Sequence, residues 1–577
     1  MSSVAVPRPE HPRPQFEREN WLNLNGPWTF TFDFGRSGTQ RGFAASQGFD
    51  REIIVPFCPE SALSGVGHTD FIEMMWYHRS VTVPAEWTGK RVLLHFGGVD
   101  YECEAFIDGQ SVGRHWGGTA SFTFDITAQV IPGKKQNLTL AVQDDLRSNQ
   151  QPSGKQSSRF ASYGCLYTRT TGIWQTVWLE AVDPCGLETC QIIPDLDAAR
   201  FNLVPRFRSV KRGLRFRATV LQDGMEVSRV EGPALNGLGL DLALTNPRPW
   251  SPADPFLYDL MLEVLQDGQV IDRVRSYAGL RKVQVEGSQF LLNNEPVYLR
   301  LVLDQGFYPD GIWTAPSDAA LRRDIELALA AGFNGARLHQ KVFEERFHYW
   351  ADKLGYLTWG ESSSWGMDLK DRLSARNFLN EWREIVMRDR NHPSIIAWTP
   401  FNETYDVGDR RQHGRVHTDG YDLTRDLDPT RPVNDASGYV HVKTDLWTVH
   451  NYEQDPVRLH EQLSIKNGQV FRNFPEHEVP YTSQPYLVDE FGGIKWIPED
   501  RRPFADNSWG YGAGPQSEEE FYQRLEGQVD ALLSLKHIAG YCYTQLTDVE
   551  QEQNGIYNYD RTPKFDMERV KRVFGKG

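Results

Sequence analysis

After Gly279 the sequence changes from period-two text to alternating apolar strands and amphipathic helices, and that change restricts the fold more than any other feature. Tyr298–Leu303 reads as a strand. A helix from about Ser317 follows it, with Leu321, Ile325, Ala328 and Leu329 on one face and Gly332 as a stop. Phe333 to Leu338 is the next strand, and Tyr356–Trp359 follows a second helix. Phe378, Trp382, Ile385 and Val386 share a helical face before the apolar run Ser394–Phe401. Later strands fall near Arg431–Asp435, Leu446–Tyr452, Tyr486–Glu490 and His537–Thr544. About eight strand–helix units in succession predict a (β/α)8 barrel over 283–577.

The text before Gly279 is all β. Trp28–Asp33 alternates with period two, Arg91–Phe96 ends at Gly97-Gly98, and Asp108-Gly109 is a hairpin signal. Short aromatic strands with Gly-rich turns predict a jelly-roll sandwich over 1–182. Leu214–Val220, Leu257–Val264 and Gln269–Asp272, with a Pro-rich segment from Asn246 to Pro252, predict a second, immunoglobulin-like sandwich over 183–282. The expected architecture is therefore multidomain, two β units followed by an α/β barrel.

Composition excludes several partner classes. A formal charge of −15 without a basic stripe argues against nucleic acid and anionic membrane. No run of about 18 apolar residues is present, which predicts no membrane span. Met1–Asn20 lacks the apolar stretch of a secretory signal, so the expected compartment is the cytoplasm. The six cysteines show no CxxC pairing and read as free thiols, although Cys185 and Cys190 are near enough to bridge. No HExxH or other metal spacing occurs, and Gly510-x-Gly512-x-Gly514 lacks a nucleotide-binding context. No metal or cofactor is expected; the acidic Asp548–Glu552 run reads as a solvated or sugar-facing loop. A homo-oligomer stays open.

Catalytic side chains of such a barrel gather at the carboxyl ends of its strands. The fourth strand ends in Asn402-Glu403, and the seventh in Asp489-Glu490. Two carboxylates aimed at one substrate are the minimum apparatus for cleaving a glycosidic bond. Glu403 would be general acid and then base, and Glu490 the ionised nucleophile.

These residues, with Trp21–Trp28, Gly172–Leu179, Gly279-Leu280-Arg281 and Phe290–Pro296, resemble glycoside hydrolase family 2 along nearly the whole chain. The resemblance implies a retaining mechanism and a carbohydrate substrate. It implies that Asn402 donates to the sugar 2-hydroxyl and that Arg337 holds the nucleophile ionised; His339 stands one residue closer to Arg337 than the family's Arg-x-x-His spacing. Asp304 and Glu361 are candidates for sugar hydroxyls or for rim ion pairs. His450 and Tyr452 are placed to hydrogen-bond nucleophile or substrate, and Trp509 stands in a loop that would form a stacking wall or a plain surface loop. Where glucuronidase members carry Asn-x-Lys before Gly-Ile, this chain reads Glu552-Gln553-Asn554-Gly555-Ile556. A Glu there repels a uronate, so the expectation is an exo-β-glycosidase for a neutral sugar, β-galactosidase-like. The alternatives are β-mannosidase, β-glucuronidase, a furanosidase, or a carbohydrate-binding protein with an inactive barrel.

Overall fold

The structure is a computed structural model that describes residues 6–405, 408–499, 501 and 507–577. The first unit is a jelly roll of two antiparallel sheets. One orders Arg51–Val55, Gly26–Phe32, Met74–Thr82, Lys135–Gln143, Glu102–Ile107 and Gln110–Trp116; the other orders Trp21–Asn23, Val177–Val182, Arg91–Phe96 and Phe122–Asp125. Alternating side chains from the two inner faces, Trp28, Tyr77, Leu94, Phe96, Leu140 and Leu179 among them, make one core. Asp108 (φ 46°) and Gly109 (φ 83°) turn the hairpin between its last two large-sheet strands, as an Asp-Gly pair does in a two-residue loop.

The second unit packs a four-stranded sheet (Met225–Pro233, Leu214–Gln222, Tyr258–Gln266, Gln269–Ala278) on a three-stranded one (Leu187–Asp195, Arg200–Phe207, Leu240–Ala243). Phe201, Phe216, Leu262 and Val264 fill the space between them. It is an immunoglobulin-like sandwich without a disulfide, all six cysteines of the chain being free thiols.

The third unit is a (β/α)8 barrel. Its strands are Leu299–Asp304, Gly335–Leu338, Leu357–Glu361, Ile395–Thr399, Ala436–Ser437, Trp447–Asn451, Tyr486–Gly492 and Ile538–Thr544. The first pairs in parallel with the eighth, Leu299 opposite Gly540, so that seven strands form one sheet, and the fifth pairs with the continuation of the fourth. Leu299, Leu301 and Leu303 point into the barrel with Leu357, Trp359 and Leu487, while Val302 joins the layer beneath the helices with Ala336, Val449 and Val488. Period-two alternation along strands buried on both faces accounts for the continuous apolar text. The hairpin Val283–Glu286 and Gln289–Leu292 packs Phe290 and Leu292 against that interior. The first helix, Asp318–Ala330, is capped by Ser317 accepting from Ala320 N, a bond contributing about 1 kcal/mol, and it buries Leu321, Ile325 and Ala328.

Two barrel elements differ from the sequence expectation. The fifth strand is not Arg431–Asp435 but Ala436–Ser437, paired with Phe401–Asn402. Its approach, Arg431–Asp435, makes a single bridge to the fourth strand, Trp398 N donating to Pro432 O at 3.2 Å and Asn434 N to Trp398 O at 2.9 Å. Side chains hold the rest: Arg431 donates to Ile395 O at 2.6 Å, and Asp435 accepts from Val442 N and Lys443 N at 2.6 and 2.8 Å. That tight turn leaves the fifth and sixth strands joined by residues 438–446 without a helix. Among the described residues, no helix is long and apolar enough to cross a membrane.

The jelly roll also reaches the barrel mouth. Ser153 N and Gly154 N donate to Trp365 O and Ser363 O at 2.8 and 3.1 Å, and Gln551 Nε2 donates to Gly164 O at 2.8 Å. Gly154 has φ 56°, and a Cβ there would lie 2.1 Å from Gln340 O, so only glycine permits this approach.

Candidate active site

The fourth strand breaks at Pro400, re-forms as Phe401–Asn402 against the fifth, and hands over to Glu403, whose N–H donates to Ser437 O at 2.9 Å. Glu403 has φ 47°, a left-handed backbone that costs a non-glycine residue about 1 kcal/mol or more and that clusters at functional sites. Glu490 lies inside the seventh strand, not at its end; the ladder to the eighth strand slips between Val488 and Phe491 and turns its carboxylate into the mouth. One carboxylate oxygen of each Glu and His450 Nδ1 all lie within 4.8 Å of one another.

Arg337, fully buried at the end of the second strand, is the hub beneath them. It donates to Glu361 Oε2 at 2.6 Å, to Asn402 Oδ1 at 2.7 Å and to Asp489 O at 2.9 Å, and its charge stands 3.0 Å from Glu490 Oε1. Engaging Asn402 through its oxygen fixes the amide, so the buried Asn402 Nδ2 is left as a donor with no protein partner. A buried donor without a protein partner needs an acceptor, and at a site mouth a ligand can supply it. Glu361, by contrast, has both oxygens occupied: Arg337 holds one, and His339 Nδ1 and Gln340 N approach the other at 2.9 and 3.1 Å. Glu361 thus orients Arg337 as an ion pair, and it has no free oxygen for a sugar. Burial and then the charges of Lys155 and Arg337 hold His339 well below the ordinary histidine range, so it touches both as a neutral ring.

Burial raises the carboxyl of Glu490, but the charges of His450 and Arg337 outweigh it and hold the group far below the carboxylate range. His450 is affected the opposite way: burial lowers it, and Glu490, Asp489 and Glu403 pull it up to about 9. As an imidazolium it donates through both nitrogens, Nδ1 to Glu403 Oε1 at 2.7 Å and Nε2 to Ser437 Oγ at 3.0 Å. Ser437 passes its own hydrogen to Asp489. Tyr452 donates to Glu490 Oε2 and touches Thr544 Oγ1 at 3.0 Å. The ring of Tyr511 stacks on Tyr452, and Trp509 packs edge-on against Tyr511 at 4.8 Å, so the 507–512 loop is a wall of the site through Tyr511.

Asp304 is not part of this cluster. It accepts from Gly306 N at 2.9 Å, and burial followed by the neighbouring Asp324 pushes it up to about 7. The acidic 548–552 loop is neither solvated nor a cation cage: Asp548 is paired with Lys564 at 2.8 Å, Glu550 accepts from Thr168 N, and Glu552 accepts from the Tyr167 hydroxyl and from Asn554 Nδ2. Glu403, His450 and Glu490 are near enough to ligate an ion, but the imidazolium and Arg337 already neutralise the carboxylates.

The residue sequence reasoning missed is Lys155. It comes from the jelly roll, is 5 % exposed, and places Nζ 5.6 Å from the Trp365 ring and 5.9 Å from the Tyr167 ring. Trp365 is itself anchored to the site by donating to Asn402 O at 3.1 Å. Nothing in the local text around Lys155 marks it; only the docking of the preceding Gly154 on the barrel brings it there.

Three family models match in chain order: "Glycosyl hydrolases family 2, sugar binding domain" over residues 67–178, "Glycosyl hydrolases family 2" over 212–281, and "Glycosyl hydrolases family 2, TIM barrel domain" over 283–493. A β-glucuronidase of Paenibacillus borealis is 24 % identical over 610 residues, covering 96 % of each chain. A β-galactosidase of Thermoanaerobacter pseudethanolicus is 24 % identical over 70 % of this chain and 53 % of its own length. The solved β-glucuronidase of Ruminococcus gnavus in complex with D-glucuronic acid superimposes with a TM-score of 0.81 at 20 % identity, covering 97 % of this chain and 99 % of that one, and shares the fold. With sugar-binding jelly roll, middle sandwich and barrel matched in order, and a carboxylate pair at the barrel mouth, this chain belongs to glycosyl hydrolase family 2 and is an O-glycosyl hydrolase.

Proposed function

We propose that the protein is a retaining exo-β-glycosidase that removes β-D-glucuronic acid from its conjugates, with Glu490 as nucleophile and Glu403 as acid/base. The observation that carries the mechanism is the approach of the two carboxylates to within 4.8 Å. Retention needs about 5–5.5 Å between the groups, and inversion about 6.5–9.5 Å. Glu490 attacks the anomeric carbon as Glu403 gives its proton to the departing oxygen. Glu403 then takes a proton from water, and that water's oxygen displaces Glu490. Asn402 Nδ2 supplies a hydrogen bond to the hydroxyl beside the anomeric carbon, strongest when positive charge develops there. The loops of the jelly roll and of residues 509–511 wall the mouth, which suits a terminal sugar.

The sugar assignment departs from the neutral-sugar expectation. A relative that spans 96 % of both chains is a β-glucuronidase. Glu552, the residue that argued against a uronate, has its oxygens engaged by Tyr167 and Asn554, and a lysine stands in the same wall. A neutral β-glycoside is the second reading, favoured by the absence of the Asn-x-Lys motif. A panel of p-nitrophenyl glycosides tests both, with NMR of the first-formed product to establish its anomer. Highest kcat/KM on the β-D-glucuronide with β-product first supports the proposal; preference for the galactoside, or α-product first, overturns it.

A further inference from the structure

We propose that Lys155, delivered across the domain boundary, binds the carboxylate of the substrate's uronic acid and so performs the task that the barrel loop's missing lysine performs in glucuronidase members. The inference rests on the uronide reading above and names the residue that would make it possible.

Lys155 is an isolated cation. Its backbone carbonyl accepts from Tyr167 N at 2.8 Å, but its ammonium has neither a hydrogen bond nor an ion pair among the described residues, although the residue is 5 % exposed. Burying an ammonium without a partner costs several kcal/mol, so a structural lysine at this depth is normally paired. Tyr167 and Trp365 present ring faces to Nζ, which confine it sideways but supply no acceptor. The nearby carboxylates do not supply one either. Glu552 is engaged by Tyr167 and Asn554, and no oxygen of Glu552, Glu490 or Glu403 comes within the 4.0 Å of an ion pair to Nζ. They keep Lys155 protonated all the same: burial lowers it, and Glu552, Glu490 and Glu403 together raise it above the ordinary lysine value. The result is a charged, desolvated donor near both reacting carboxylates and lacking a counter-ion. A carboxylate entering with the sugar would complete the pair at the moment of binding.

The location has a physical rationale. Gly154 clamps the chain onto Gln340 and Ser363, so Lys155 is held by backbone contacts to the barrel and not by its own side chain. An ammonium positioned this way is preorganised for a ligand, and it need not give up a protein partner when the ligand arrives.

The test compares Lys155→Met and Lys155→Arg with wild type on p-nitrophenyl β-D-glucuronide and p-nitrophenyl β-D-glucoside, with thermal midpoints recorded for each. In Lys155→Met the ratio of kcat/KM for glucuronide over glucoside should fall about 100-fold, mostly through KM, as expected for removal of a buried charge partner. Lys155→Arg should recover part of that ratio, and neither midpoint should fall. A ratio unchanged in Lys155→Met, with wild type active on the glucuronide, overturns the assignment of Lys155 alone. A parallel loss on both substrates with a lowered midpoint assigns Lys155 a structural role and overturns it too. A wild type inactive on the glucuronide defeats the uronide reading itself.

Discussion

His450 donates through Nδ1 to Glu403 at 2.7 Å, and the same nitrogen lies 3.4 Å from Glu490, so one imidazolium bridges the two carboxylates. Its position is enforced from behind. Gly438 has φ 75°, and a Cβ there would lie 2.6 Å from the His450 ring. The bridge explains how two carboxylates can stand this close. The charge that would make them repel is cancelled between them.

That bridge has a pH signature in stability. His450 titrates near 9 when folded against 6.5 as an ordinary histidine, so its contribution is fully present below about 6.5 and is lost as pH rises through 9. Glu490 acts with the opposite sign: its depressed folded value contributes above its ordinary 4.5, and that contribution fades as pH falls. Both operate together between those two ordinary values. Replacing His450 by Gln should therefore cost on the order of 3 kcal/mol at pH 6 and progressively less toward pH 9.5. Thermal midpoints of wild type and variant across that range measure it; curves that stay parallel would show that His450 is neutral in the fold.

Chemical rescue separates the two carboxylates. Glu490→Ala should lose at least about 10⁴-fold in kcat, and added azide should restore turnover as an α-glycosyl azide, because azide enters from the vacated face. Glu403→Ala keeps its nucleophile. With an activated leaving group it should form the glycosyl-enzyme, and azide should release it as the β-azide. NMR of the two products decides the roles, and the reverse pattern would exchange them.

The sequence was most informative where chemistry and strand grammar coincide. Asn402-Glu403 and Asp489-Glu490 stand at ends or breaks of apolar strands, so both residue type and location could be read. Arg337 also ends a strand, but its role was legible only through the family resemblance. Glu361 and Asp304 occupy equivalent rim positions, but the use of a rim carboxylate depends on its neighbours in space, and these two are committed to Arg337 and to Gly306 N. The fifth strand was placed a few residues early: Val433 bridges Trp398, but the chain bends at Asp435 and forms its ladder at Ala436–Ser437, too short to leave a period-two pattern. Lys155 was illegible because its location is a property of domain docking.

Arg337 cannot be exchanged for lysine. Its guanidinium spans Glu361, Asn402 and the Asp489 carbonyl at once, and an ammonium reaches one of these at a time. Removing the charge in Arg337→Met leaves Glu361 unpaired in a dry interior and should destabilise by about 3–5 kcal/mol. Arg337→Lys should keep more of the stability but still lose activity, since Asn402 would no longer be held with Nδ2 free. Urea unfolding read beside kcat/KM tests this. A lysine variant with wild-type kcat/KM would show that the Asn402 orientation does not depend on the fork.

Gly154 offers a handle on how far the jelly roll contributes to the barrel's chemistry. An alanine there has both an unfavourable φ of 56° and a Cβ 2.1 Å from Gln340 O, so the loop must lift off the rim. The strain alone is worth about 1–3 kcal/mol, enough to detach a segment held by a few backbone bonds. Because the catalytic carboxylates belong to the barrel, Gly154→Ala should still form the glycosyl-enzyme, but with KM for the preferred substrate raised by about tenfold or more, the equivalent of about 1.4 kcal/mol of binding. A mechanism-based label on Glu490, quantified by mass spectrometry, reports the first property, and steady-state kinetics report the second. If KM is unchanged while proteolysis shows the 150–170 segment released, the mouth is complete without the jelly roll and the domain boundary lies outside the site.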